Sequence, residues 1–246
     1  MKNDCVKVAL WSGPRNISTA LMYSFANRSD IAVVDEPLFG YFLKQTGVWR
    51  PSREEVLATM ETDPQKVINS LLEPSTDMPV YFMKHMANHL VDINLAFLNN
   101  FKNVILIRDP KDVLLSYSKQ VEEPTLLDTA YKMQADLIDH FNKVRTPFVV
   151  LNARNVLLNP EEQIRLLCDK LHIHFQSSML NWDAGPREED GVWAKYWYKS
   201  VHESTGFGSY REKDEDLPSS LNPLYDECME YYGKLEQLQL KEHGKV

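Results

Sequence analysis

Residues 8–25 read VALWSGPRNISTALMYSF. An apolar run meets a Gly-Pro turn, then an arginine, then Ser-Thr and an amphipathic helical pattern. This is a buried strand delivering the chain into a turn that opens a helix. Gly13 permits close backbone approach and Pro14 stiffens the turn. With a helix starting near Ile17, the amides of residues 16–20 point free N–H groups into the loop. A helix start of that kind attracts an anion. Arg15 adds a charged fork, and Ser18 and Thr19 add hydroxyl donors. A Walker A loop needs GxxxxGK[ST], but Ile17 and Ser18 stand where its glycine and lysine belong. A plain helix cap explains Ser-Thr equally well when the loop is taken alone.

The same strand-turn-helix rhythm repeats outward. Short apolar, β-branched runs occupy 6–11, 31–34, 79–84, 103–109 and 146–152. Helical periodicity fills 17–27, 53–73, 87–99, 111–119, 126–144 and 160–171. Strands alternating with helices predict parallel pairing through right-handed crossovers. The nearly unbroken apolarity of the strands predicts burial on both faces. The expected fold is a three-layer, P-loop-like α/β domain with a central parallel sheet of about five strands. Asn159, Pro160 and Glu162 form a capping-box-like start to the helix at 160–171. Beyond 175 the character changes. Residues 182–216, rich in Gly, Trp, Tyr and charge, predict a long ordered loop or cap. Residues 217–222 are turn-like, 223–240 predict a C-terminal helix, and the tail KEHGKV is expected to fray. The whole chain, 1–246, is expected to be one domain, with a cofactor-binding core over 1–175 and a cap and C-terminal helix over 176–246.

Bulk properties narrow the function classes. The net charge of -8 argues against broad nucleic-acid binding while allowing a local basic pocket. The three cysteines, Cys5, Cys168 and Cys228, are far apart and form no CxxC. They predict reduced thiols in a cytoplasmic protein rather than a disulfide or zinc framework. The N-terminal stretch is too broken by Lys and Asp for a signal peptide, and no run approaches a membrane span. No metal site is expected.

A second basic stretch, NVILIRDPKDVLLSYSKQ (103–120), is again strand, turn and helix. Arg108 ends the strand, Asp109 and Pro110 serve as N-cap and N1, and Ser116 lies two turns in. Alone, an arginine paired to a carboxylate and a packed serine explain it. Two such stretches on one edge of one parallel sheet predict a grip on two phosphates of one nucleotide.

The pair resembles the two cofactor motifs of the sulfotransferase superfamily, whose members use 3′-phosphoadenosine 5′-phosphosulfate (PAPS) and release 3′-phosphoadenosine 5′-phosphate (PAP). The first matches at Arg15, Asn16, Ile17, Ser18, Thr19 and Ala20, which the resemblance places on the 5′-phosphosulfate. The second matches at Arg108 and Ser116, eight positions apart, which it places on the 3′-phosphate. Residues 149–175 resemble the family's strand, basic loop and Pro-capped helix. WSGPRNISTALM and DEPL are similar to bacterial and plant sulfotransferase-like proteins; in plants such a domain can be fused to an aminotransferase-like one, whose activity is not carried over. The chain departs from the hormone-type members in having Arg15 for their lysine and Ile17 for their glycine. It has no clear match to their Arg-Lys-Gly loop, for which residues 195–211 are the candidate replacement.

Sulfuryl transfer needs an in-line acceptor, stabilisation of the leaving phosphate and a base. Arg15 suits the leaving oxygen. VVDEPLFGYF (33–42) puts Asp35 and Glu36 after the second strand, and Glu36 resembles the base of bacterial glycolipid-type enzymes. Capping of the turn, or pairing with Arg15, explains these carboxylates otherwise. FMKHMANHL (82–90) puts Lys84 and His85 after the third strand, resembling the Lys-x-His of hormone-type enzymes with the histidine one position early. Glu36 is favoured over His85 as the base. For His89 a structural role is expected, since HxxxH without glutamate is a poor zinc motif. Trp193, Trp197 and Tyr198 are read mainly as packing, with a wall of the acceptor pocket as their functional alternative. Lys195, Ser204 and Thr205 are candidates near the cofactor. The expected activity is PAPS-dependent transfer to a hydroxyl or amine of a small molecule. The rivals are a nucleotide kinase or phosphotransferase, and a PAP-binding module without catalysis.

Overall fold

The computed structural model describes residues 5–241; the last five residues of the tail expected to fray lie outside that range. Five strands, β1 (Val6–Ser12), β2 (Ile31–Asp35), β3 (Val80–Met86), β4 (Lys102–Ile107) and β5 (Phe148–Asn152), form one parallel sheet in the order β2-β3-β1-β4-β5. The chain leaves β1 toward one edge and leaves β4 toward the other. The crevice between their carboxyl ends is therefore a topological switch point, where open α/β sheets bind ligands.

Strand alternation sorts side chains into two cores. Val8 and Leu10 of β1, Phe82 of β3, Val104 and Leu106 of β4 and Leu151 of β5 face one side. There they meet α1 (Ser18–Ala26), α2 (Phe39–Thr46), α8 (Ala153–Leu158) and α9 (Pro160–Leu171), together with Trp182 and Trp193 of the cap. Ala9, Trp11, Met83, Ile105, Ile107 and Val150 face the other side. Its cover comes from α4 (Pro64–Leu72), α5 (Pro110–Tyr117), α7 (Tyr131–Val144) and α12 (Asn222–Glu236). Phe25, fully buried and stacked on Phe82 at 4.2 Å, typifies the first core. Truncating such a ring costs about 3–5 kcal/mol. Exposed pairs such as Lys132–Asp136 contribute only ~0.3–0.5 kcal/mol, so the sheet's cover is held by apolar burial.

The helices differ from the sequence expectation where a breaker intervenes. The expected helix 53–73 is two, α3 (Arg53–Thr59) and α4, because Pro64 restarts the helix with Asp63 as its N-cap. The expected helix 87–99 is two short 3-10 turns, Ala87–His89 and Leu95–Asn100. The run 126–144 is split at Ala130, whose φ of 67° separates α6 (Leu126–Thr129) from α7. Helices α2 and α8 occupy stretches where none was expected. Asn159 makes no capping bond to the backbone; its amide contacts Glu162 instead. The C-terminal helix stops at Glu236, and Leu240 N–H then donates to Val150 C=O at 2.7 Å, placing Gln239 beside β5. In the cap, residues 182–216 are ordered loop with two one-turn helices, α10 (Ala194–Trp197) and α11 (Lys199–His202). Tyr23 of α1 fixes this cap by hydrogen bonds to both oxygens of Asp190 at 2.9 and 2.7 Å, and His202 joins the same carboxylate at 2.9 Å.

The turn after β1 leaves no room for a side chain at Gly13, where an added Cβ would lie 2.6 Å from the Thr129 carbonyl oxygen. Gly13→Ala is expected to destabilise the protein by about 1–3 kcal/mol, read as a lowered urea midpoint at unchanged slope.

Candidate active site

A cavity of about 460 Å³ opens at the carboxyl edge of the sheet, under the cap. The first loop forms its floor. Arg15 and Ile17 both take positive φ, 55° and 27°, the second an uncommon conformation for a β-branched residue. Left-handed residues alternating with ordinary ones turn successive N–H groups toward one side, an anion-binding nest at the start of α1. The nest is anchored by Asn16, whose amide donates to Leu106 C=O at 2.7 Å. Gln134 of α7 donates to that carbonyl at 2.7 Å and to Trp11 C=O at 3.1 Å. These two side chains satisfy the strand ends where β1 and β4 part.

Arg15 and Arg108 meet here. Arg108 Nη1 donates to the Arg15 carbonyl at 3.0 Å, and its other nitrogens reach Asp112 at 3.3 Å. Arg15 Nε donates to Ser116 Oγ at 2.9 Å, so the serine eight positions beyond Arg108 lies against Arg15. Burial, and then the charge of Arg108, lower the pKa of Arg15. Among the described residues no carboxylate lies within ion-pairing distance of Arg15. A half-buried cation beside a second cation, at a nest, is a site that gains by taking an anion. Ser18, Thr19 and Ala20 line the same cavity.

At the neighbouring strand ends lies a buried ionic cluster. Lys84 Nζ donates to Asp35 Oδ1 at 2.9 Å, to Glu36 Oε1 at 2.5 Å and to the Tyr198 hydroxyl at 2.5 Å. The carboxylates thus pair with Lys84 and not with Arg15. Tyr198 donates to Asp35 Oδ2 at 2.6 Å, and Trp193 Nε1 donates to Tyr198 at 3.0 Å. Burial alone would lower the pKa of Lys84, but the charges of Asp35 and Glu36 hold it above its ordinary value. Glu36 has a φ of 43°, and its N–H donates to Lys84 C=O at 2.8 Å. Strain of this kind at the first residue past a strand is common where a side chain must be aimed.

The structure separates the two histidines of the HxxxH. His85, one residue beyond Lys84, points through the opposite face of the sheet, stacked on Trp11 at 4.2 Å. Both its ring nitrogens lack partners, and burial, then the charges of His89 and Lys84, push its pKa down to about 3. It does not line the cavity, so the structure does not bring it to the site as a base. His89, expected to be structural, does line the cavity. It stacks on Phe42 at 4.6 Å and Phe39 at 5.0 Å, with Nε2 4.0 Å from Glu36 Oε2.

Other groups carried little sequence signal. Arg50, in the loop after α2, pairs with Asp128, and both line the cavity. Trp193 and Tyr198 are at once core and wall. Lys195 is on the surface, paired with Glu55 at 2.6 Å rather than near the first loop. Ser204 lines the cavity and accepts from Trp182 Nε1 at 3.1 Å, and Thr205 bonds through its carbonyl to Trp182 N–H at 3.1 Å. The irregular stretch beyond Gly206 reaches the second motif, with Lys213 Nζ donating to Asp112 C=O at 2.8 Å. Among the described residues no group of three or more His, Cys, Asp or Glu is arranged to hold a metal ion, and no helix is long and apolar enough to cross a membrane.

Lys84→Ala is expected to cost about 3–5 kcal/mol by chemical denaturation, because it leaves two buried carboxylates facing each other.

The chain is similar to known proteins in sequence and in fold. The chain is 42% identical over 226 residues to branched-chain-amino-acid aminotransferase-like protein 1 of Arabidopsis thaliana, covering 92% of this chain and 40% of the relative, so it spans well under half the length of that protein. The fold is similar to the sulfotransferase domain of the Synechococcus PCC 7002 olefin synthase, with a TM-score of 0.59, 13% identity, and 95% and 98% of the two chains covered. It is also similar to a mouse sulfotransferase complexed with PAP, with a TM-score of 0.55, 12% identity, and 94% and 88% covered. Residues 6–236 match the sulfotransferase domain, so the chain with this paired-arginine crevice belongs to the sulfotransferase family.

Proposed function

We propose that the protein moves a sulfuryl group from PAPS to a hydroxyl or amine of a small-molecule acceptor, in the cytoplasm. The observation that carries this reading is the meeting of Arg15 and Arg108 at the β1/β4 switch point, above a nest of backbone amides. A half-buried arginine with no carboxylate partner among the described residues, beside a second arginine, fits a ligand with two separated anionic groups, as PAP is. PAPS, when bound, supplies the electrophilic sulfuryl group.

The chain's own residues divide the work. The amides of residues 16–20, with Arg15, Ser18 and Thr19, hold the 5′ end and receive the charge that develops there. Arg108 and Ser116 hold the 3′-phosphate, and the same hydroxyl already touches Arg15, coupling the two ends. Lys84 supplies positive charge at the neighbouring strand end. Glu36 takes the acceptor's proton at Oε2, because Oε1 is engaged by Lys84. Phe39, Phe42, Trp193 and Trp197 line the same cavity as Glu36 and exclude water from the acceptor. The cation in the phosphate-binding loop is Arg15, and no lysine occupies the Walker position, which disfavours a kinase using Mg-ATP.

Thermal stability tests cofactor binding. PAP at 100 times its dissociation constant, in chelator, is expected to add roughly 2.7 kcal/mol, a rise in Tm of about 5–10 °C for a chain of this size. Arg108→Ala is expected to abolish most of the shift. A shift with Mg-ATP alone would overturn the sulfotransferase reading in favour of phosphoryl chemistry.

Glu36→Gln tests the base. With radiolabelled PAPS and a panel of small alcohols, phenols and amines, transfer is expected to fall about 10²–10⁴-fold while the PAP shift persists. Undiminished transfer would remove Glu36 from the mechanism, and absence of transfer by the unaltered protein across the panel would favour a PAP-binding module.

A further inference from the structure

Consecutive strand residues point to opposite faces, yet Asp35 and Glu36 both reach one ammonium, Lys84 Nζ, at 2.9 and 2.5 Å. The positive φ at Glu36 makes this possible by turning the chain back on itself. The two carboxylates are not equivalent. The Asp35 side chain is 1% exposed, does not line the cavity, and is fixed on its far side by the Tyr198 hydroxyl at 2.6 Å and the Gly191 N–H at 3.3 Å. Glu36 lines the cavity. Asp35 therefore cannot touch an acceptor, but it shares the cation that Glu36 depends on.

We propose that Asp35 is a positioning residue that keeps Glu36 basic, by competing with it for the single charge of Lys84. The inference rests on Glu36 as the base proposed above. The balance of charge gives the reason. The cluster holds two carboxylates and one ammonium, an excess of one negative charge in a buried place. A proton arriving on Glu36 relieves that excess and leaves Lys84 paired with Asp35. Were Asp35 neutral, Lys84 would pair wholly with Glu36, and a proton arriving there would strand a buried cation. Removing Asp35 also removes a like charge beside Glu36, which acts in the same direction.

Every group facing Glu36 is consistent with this role. Lys84 faces it from β3 and Asp35 from its own strand end. The Tyr198 hydroxyl faces it from the cap at 3.5 Å, and His89 from the turn after β3 at 4.0 Å. Burial, then the charges of Lys84 and Arg50, hold His89 well below its ordinary pKa, so it brings no second cation. Burial, then the carboxylates, hold the Tyr198 hydroxyl protonated. The same competition is visible from Asp35, which burial raises to about 6, with Lys84 opposing and Glu36 adding to the rise.

Carbon-13 NMR of the glutamate carboxyls in the full chain tests the proposal without needing an acceptor. The Glu36 resonance is identified by its loss in Glu36→Gln. In Asp35→Asn, whose cluster keeps one ammonium and one carboxylate, the Glu36 midpoint is expected to fall by about one pH unit or more, a tenfold loss of proton affinity. Asp35→Ser, which removes the same charge with a smaller side chain, is expected to shift it in the same direction, and it decides the matter if Asp35→Asn does not fold. A midpoint that stays or rises overturns the proposal. With an acceptor in hand, the acid limb of kcat/KM against pH moves with the midpoint and the plateau falls. The cofactor reading fails separately, through absence of a PAP shift in the unaltered protein, and the base assignment fails through undiminished transfer by Glu36→Gln.

Discussion

An ammonium group removed from water must be matched by anions and acceptors or it does not stay charged. Lys84 is 1% exposed on its side chain, and its three partners come from the end of β2 and from the cap. Much of the site follows from satisfying that one group. Asp35 must stand opposite Lys84 in the β2–β3 ladder, as it does. Glu36 must fold back, which its positive φ allows. Tyr198 must come down from a segment more than a hundred residues away, and with it comes the roof of the cavity. Trp193 then packs into the same core as β1 and α1, so the cap is seated by apolar burial and registered by a polar contact.

The second constraint is the parting of β1 and β4. Parallel neighbours that diverge leave carbonyls without ladder partners, and buried carbonyls need donors. Asn16 and Gln134 supply them at Leu106 and Trp11. Because Asn16 sits inside the first loop, closing the sheet and shaping the nest are one event. Arg108 repeats the coupling by donating to the Arg15 carbonyl. The two basic stretches are thus tied to each other directly and not merely placed on one edge.

The sequence made the layered fold legible because parallel strands are apolar on both faces and the five runs stand out against charged helices. The two arginine stretches were legible because strand, turn and hydroxyl-bearing helix recur in the same order. Helix breaks at Pro64 and Ala130 were harder to read. Pro64 sits at a restart that looks like continuation, and Ala130, buried between Thr129 and Tyr131, carries no local cue for a left-handed backbone. The fate of His85 was available in principle. Lys84 and His85 are adjacent on a strand, so once Lys84 faces the cavity, His85 cannot. The place of His89 on the cavity wall was not legible, because the 3-10 turn that carries it has no clear periodicity. The partnership of Tyr198 with Lys84 is a long-range contact, and no spacing in one sequence reports it.

The stretch after α12 has a consequence beyond the site. An open sheet presents bare N–H and C=O groups along its last strands, an invitation to pairing with other chains. Here Leu240 donates to Val150, and Gln239 accepts from the amides of Asn152 and Asn155 at 3.1 Å each. Gln239 and Leu240 thus serve as a partial neighbour to β5. That margin of the sheet is occupied from within the chain, so it offers less of a template for pairing with other chains.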